Sequence, residues 1–465
     1  MTGETNGSGQ TSIEIRELDH QLVSSIRRKL PNSPPLRSQS CIFRVPVSIR
    51  RSNQKAYLPN VVSIGPFHRG KRNLKSMERV KLWFLHCLLN RSPTPEKVLD
   101  CFVKNIRDME RYCREYYAEK ISLSSDEFVE MMVVDGCFII ELFRKCCAQE
   151  VQEVEVDPGC NLSLMTFDLA YDLLLFENQL PWPVLECLWD LTVGQDQRGT
   201  SLLRCFALSF FCPVIPMISE DPLGIKLPIK HLLDFMRNIL VPSAAPDTET
   251  NEDRNWHLLD FMRNILVPSA APDTETNEDR NWLPIPCVTE LLQAGVKFKV
   301  GNKKDLLDIK FNNGVMEIPP ILIQEGAECL FRNLVAFEQC DRSCTDKFAS
   351  YAILLDNLIN STKDVDFLCH EGIIETYFSH EDLASIFFRL CSRTVITDFS
   401  YAELSRKVNA YYKARWPKWQ ATLRRDYFNN PWSILSFLAA ILILFFTFAQ
   451  TLFSVLSYQD SLARP

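Results

Sequence analysis

Apolar residues recur every third or fourth position over much of the chain, a period that predicts helices. Ile15, Leu18, Leu22, Ile26 and Leu30 fall on one face of a short amphipathic helix. The run PNSPPLRSQS ends that helix as a linker, so residues 1–40 read as a disordered, polar N-terminus carrying one short helix. From Cys41 the pieces CIFRVPVSIR and NVVSIG read as short extended segments, followed by a helix through Met77, Val80, Phe84, Cys87 and Leu88. EFVEMMVVDGCFIIELFRKC and TFDLAYDLLLFENQLPWPVLECLWDL are apolar on more than one side and predict buried helices, the second broken or kinked at Pro181 and Pro183. Alternation on either side of Asn312-Asn313-Gly314 predicts a β-hairpin in a small antiparallel sheet. Helices then resume from Ala327 to about Leu423. The expected fold is mainly α with a small antiparallel β element (α+β), its body spanning 41–426, plus one C-terminal transmembrane helix.

The block HLLDFMRNILVPSAAPDTETNEDRNW at 231–256 recurs unchanged at 257–282. Two identical copies are too few for a solenoid, which needs three or more units to bury a common core. Each offers one apolar helix, LLDFMRNIL, and an acidic linker. One helix position in the body accepts one copy, and the other is expected to lie loose or to compete for it.

Between Tyr427 and Gln459 there are 33 residues without Asp, Glu, Lys or Arg. That length predicts a single membrane span over 427–458 with a tail at 459–465. Its expected lipid-facing residues are Trp432, Ile434, Leu435, Phe437, Leu438, Ile441, Leu442, Ile443, Leu444, Phe445, Phe446, Phe448 and Tyr458, with Trp432 and Tyr458 at the two interfaces. Lys413, Arg415, Lys418, Arg424 and Arg425 precede the span and only Arg464 follows it. The body is therefore expected in the cytosol and the tail across the membrane, as in a tail-anchored protein.

Composition sharpens this picture in three places. Glycine, at 15 of 465 residues, is scarce, which disfavours glycine-rich nucleotide sites. The net charge of −7 is uneven: residues 26–81 hold fourteen Lys or Arg against the one acid Glu78, so the remainder sums to −20. Such a window suits an anionic surface, and Arg69, Lys71, Arg72 and Lys75, with Arg424 and Arg425, are the expected contacts. Seventeen cysteines, an odd number without Cys-x-x-Cys spacing, predict reduced thiols and no zinc site.

Candidate chemistry is thin. Gly65-Pro-Phe-His-Arg-Gly70-Lys71-Arg72 matches a phosphate loop except at its last position, where Arg72 replaces the hydroxyl that ligates magnesium, and Pro66 removes an amide. A structural turn is the better reading, with a cryptic nucleotide-binding enzyme as its rival. No Gly-x-Ser-x-Gly or His-Glu-x-x-His occurs. His68 and His86 are single histidines, and Asp135 and Glu177, each inside an apolar run, read as semi-buried carboxylates that cap backbone.

The ordered segments CIFRVPVSIR, YLPNVVSIGPFHRGKRNLKSMERVK, MMVVDGCFIIELFR, DLLLFENQLPWPVL, IPCVTELLQAGVKFK, LFRNLVAFEQC and DVDFLCHEGIIE, over roughly 41–458, resemble the plant-specific family called domain of unknown function 247. The resemblance implies no catalytic residues and no cofactor, and some grass members of that family are implicated in self-incompatibility. The expectation is a non-enzymatic, membrane-anchored recognition or signalling protein. Its expected partners are membrane lipid and an unknown protein, and no nucleic acid. A structural scaffold at the membrane is a further alternative.

Overall fold

The computed structural model describes residues 22–30, 39–147, 162–192, 200–215, 228–241, 282–303, 305–391, 394–414 and 431–462. The N-terminal half of the body consists of helices α1 (Lys75–Leu89), α2 (Pro95–Asp108), α3 (Ser125–Cys147), α4 (Leu162–Leu173), α5 (Trp182–Thr192), α6 (Thr200–Phe211) and α7 (Leu232–Leu240). In the C-terminal half the strands β1 (Lys297–Val300), β2 (Lys310–Asn312), β3 (Val315–Ile318) and β4 (Ile321–Ile323) lead into α8 (Ala327–Cys340), α9 (Lys347–Leu358) and α10 (Thr362–His370). After β5 (Ile374–Thr376) come α11 (His380–Leu390), α12 (Ala402–Lys413) and α13 (Pro431–Leu462).

The central helix is α3, against which α1, α2, α5 and α6 pack. Its start is a capping box: Ser124 Oγ accepts the Glu127 N–H, and the Glu127 carboxylate accepts the Ser124 N–H at 2.9 Å. From Phe128 to Phe143 nearly every side chain is buried, as expected of a helix that is apolar on all sides. Gly136 lets α5 approach, since a Cβ there would stand 2.5 Å from Leu188 Cδ1. The apolar run that follows breaks where its prolines predict, with α4 ending at Leu173 and α5 beginning at Trp182.

The hairpin forms at the expected place. Lys310 pairs with Glu317 and Asn312 with Val315, leaving Asn313 and Gly314 as a two-residue loop at φ 50° and 76°. Those positive values are what a type I′ turn requires. The sheet differs from the expected antiparallel element: β1 joins β3 in parallel, giving the mixed order β1-β3-β2, and β4 pairs with β5 in parallel. Proximity in sequence dictated the hairpin, whereas β4 and β5 are brought together by the helices between them, and β1 meets β3 across a loop and β2. The segment CIFRVPVSIR also departs from its extended reading, because Val47–Arg50 closes a helical turn.

The C-terminal expectation requires correction. Pro431–Leu462 is helical, yet among the described residues no helix is long and apolar enough to cross a membrane. Leu435, Leu438, Ile441, Leu442, Ile443, Leu444, Phe445, Phe446 and Phe448 are exposed along α13. The side chains of Trp432, Ile434, Phe437 and Tyr458 lie outside the described residues, as do Arg424 and Arg425. The expected transmembrane helix is overturned, and with it the lipid partnership and the single-pass membrane placement that rested on it.

The first copy of the duplicated block fills a buried slot. Leu232, Leu233, Phe235, Met236, Ile239 and Leu240 of α7 are all inside, with Trp182 stacked on Phe235 at 5.5 Å. The second copy lies outside the described residues except for Trp282, which stacks on Phe399 at 4.0 Å.

Candidate functional site

The run DLLLFENQLP links α4 to α5 through a buried loop, and its polar residues do the hydrogen bonding that a helix or sheet would otherwise supply. Asp172 accepts the N–H groups of Asn60, Val61 and Val62 at 2.9, 2.7 and 2.8 Å. Asn178 accepts the Ile64 N–H at 2.7 Å and donates to the Val62 carbonyl at 3.0 Å. Gln179 donates to the carbonyls of Leu173 and Leu175 at 2.7 and 2.8 Å, and accepts the Leu233 N–H of α7 at 3.2 Å. From α8, Asn333 accepts the Phe176 N–H at 2.9 Å. Segment 60–65 is thus held straight by side chains rather than by a sheet, which is why an extended pattern in the sequence forms no strand.

This lattice decides what the Gly65–Arg72 loop can do. In a phosphate loop the amides point at the ligand; here the Gly65 N–H donates to Asp135 Oδ2 at 2.9 Å. Gly65 has φ 69°, and a Cβ on it would lie 2.7 Å from the Gln179 carbonyl oxygen, so both conformation and space demand glycine. Asp135 also pairs with Lys81 at 2.7 Å, and Lys81 donates to the Ser63 carbonyl and to Glu78. Burial pushes the Asp135 carboxyl up, while Lys81 and the Gly65 N–H oppose that shift. Burial pushes Asp172 up to about 6 against the pull of its three amides. Arg72–Leu74 is a 3-10 turn and α1 begins only at Lys75, so no helix N-terminus faces the loop's interior at Lys71.

A second cluster surrounds Glu177, whose side chain is fully buried. Its Oε1 accepts the Val45 N–H at 2.7 Å and a hydrogen bond from Arg50. Its Oε2 lies 4.0 Å from Arg44 Nη1 and 3.3 Å from His68 Nε2, without the alignment of a hydrogen bond. Arg44 also pairs with Glu119 at 3.1 Å and lies over the Phe67 ring. Burial opposes the charge on Glu177, but His68, the Val45 N–H and Arg50 outweigh it and hold the carboxyl below its usual range. Burial lowers the His68 imidazole, and Lys71 adds to that. Lys71 is itself lowered by burial and by Arg50 and Arg44.

Of the expected contact residues, Arg69, Arg72 and Lys75 stand exposed on this loop and Lys71 is half-buried beside Glu177. Asp135 and Glu177 are more deeply buried than semi-buried, and each binds backbone. His86 lies on the surface of α1 against Trp83 and bonds Asn90 at 2.8 Å. Sequence reasoning missed Asp172, Asn178, Gln179, Arg44 and Arg50; the available signal was polar residues in an apolar run facing a basic segment. The described cysteines are free, and among the described residues no three His, Cys, Asp or Glu are grouped to hold a metal ion.

A helical body with a lattice of buried carboxylates, all engaged with backbone or cations, defines a class by architecture. Residues 42–446 match the DUF247 model, described as plant protein of unknown function, and the chain belongs to that family. The UPF0481 protein At3g47200 of Arabidopsis thaliana is 30% identical over 428 residues, covering 90% of this chain and 87% of that one. The putative UPF0481 protein At3g02645 of the same plant is 25% identical, covering 89% and 90%. No solved structure matches.

Proposed function

We propose that this chain is a non-enzymatic recognition or signalling protein that offers the basic loop 65–75 to an acidic protein partner. The observation that carries this reading is a loop whose first residue, Gly65, is held by Asp135 and whose incoming segment 60–64 is held by Asp172 and Asn178, while Arg69, Arg72 and Lys75 project into solvent. A pre-ordered loop loses little entropy on binding, and exposed cations set association rate and specificity. The rival nucleotide-enzyme reading loses support because the Gly65 amide is already engaged by Asp135.

Retention on immobilised polyglutamate tests the proposal. The full chain should bind and elute with salt, and Arg69→Ala/Arg72→Ala/Lys75→Ala should elute at clearly lower salt. Equal elution of the two proteins overturns it. Saturable stabilisation by ATP or GTP with magnesium, about 2.7 kcal/mol at one hundred times the dissociation constant, would restore the nucleotide reading.

A further inference from the structure

The inner face of the same loop holds unspent binding capacity. Arg44, Arg50 and Lys71 meet two carboxylates, Glu177 and Glu119, so one cation is in surplus. Lys71 forms no ion pair among the described residues; Glu177 attracts it, while Arg50 and Arg44 repel it. Two buried groups also lack hydrogen bonds. The Arg50 Nε–H has no acceptor, and His68, 2% exposed, has no hydrogen bond at Nδ1 and faces Glu177 Oε2 at 3.3 Å through Nε2 without an aligned one. A buried guanidinium N–H without an acceptor is costly, and natural proteins keep such groups where something else completes them. The site opens outward on the Arg44 side, whose side chain is 44% exposed.

We infer that Arg44, Arg50, His68 and Lys71 form a binding site for a phosphate group. Guanidinium forks and an ammonium approaching from different elements suit an oxyanion with several acceptor oxygens, more than one flat carboxylate can engage. Glu177 acts as the resident counter-charge: its Oε1 is occupied by Val45 and Arg50, and it keeps the cations together when no ligand is present. Phosphate would accept from Arg50 Nε and Lys71, the groups that Glu177 leaves unsatisfied. This deepens the recognition reading, since the loop that presents Arg69 and Arg72 outward would hold an anion on its inner side. The source of the phosphate is either the free ion or a phosphorylated side chain.

The test is a 31P NMR titration of the full chain with inorganic phosphate and, separately, with phosphoserine, at constant ionic strength. Saturable broadening is expected, with at least a tenfold weaker dissociation constant in Lys71→Gln and no change in Lys104→Gln, an exposed cation on α2. Arg50→Lys, which keeps the charge beside Glu177 and removes the Nε donor, should weaken binding while leaving circular dichroism unchanged. Binding of inorganic phosphate alone assigns the free ion, and binding of phosphoserine as well assigns a phosphorylated side chain. Absence of saturation with both ligands, or equal affinity of Lys71→Gln and the parent, overturns the site. Polyglutamate retention depends on Arg69, Arg72 and Lys75, so either idea can fail without the other.

Discussion

Lys81 and Asp135 each show about 2% of their side chains to solvent, so water does not screen this pair. Removing one partner from a buried pair leaves an uncompensated charge, and Lys81→Met should destabilise the body by about 3 kcal/mol in urea unfolding. Adding Asp135→Asn removes that charge while retaining an oxygen for the Gly65 N–H, so the double variant should recover much of the loss. A drop under about 1 kcal/mol in the single variant would show that the pair adds little. His231 titrates in the opposite sense. It lies between Phe176 and Phe337, its Nδ1 accepts the Asp234 N–H at the start of α7, and burial lowers it to about 3, with Lys230 adding to the effect. A base whose folded pKa lies below its unfolded value of about 6.5 stabilises the protein above 6.5 and loses that contribution as pH falls toward 3. His231→Asn keeps a capping acceptor and removes the titration. Its stability should therefore fall less between pH 6.5 and 4 than the parent's; parallel profiles would mean that other groups set the acid limb. None of this was visible from residue types. Asp135 and Glu177 stood out as carboxylates in apolar runs, but their partners lie 54 to 132 residues away.

Elements were legible where local period and capping decide them. The break ahead of Pro181 and Pro183 and the Asn313-Gly314 turn both follow from a few neighbouring residues. The parallel pairing of β1 with β3 does not, because nothing within either strand specifies a parallel partner. At α13 an apolar pattern predicted a span, whereas among the described residues no helix is long and apolar enough to cross a membrane. The α3–α5 contact gives a test at this scale: Gly136→Val places branches where a Cβ alone would stand 2.5 Å from Leu188. Overpacking there should cost about 1–3 kcal/mol in thermal or urea unfolding. Unchanged stability would show that α5 shifts aside freely.

At the scale of the whole molecule, the duplication poses the clearest question. Removing 257–282 leaves Trp256 directly before Leu283, which restores a Trp at the place where Trp282 stacks on Phe399, and removing 231–256 gives the same chain. With α7 kept in its slot, the connection to that Trp shortens, which should raise stability by about 1 kcal/mol through loop closure alone. A loss of more than about 2 kcal/mol would show that the second copy contributes packing of its own. The sequence by itself determined a helical body, its hairpin and its charge asymmetry, since periodicity, turn chemistry and charge are local properties. Only the tertiary structure decided that Asp172, Asn178 and Asp135 tie down the 60–65 segment and that Glu177 gathers Arg44, Arg50 and His68. Those groups meet only when helices that bury their apolar faces bring distant segments into contact, and a buried polar atom takes whichever partner the packing supplies.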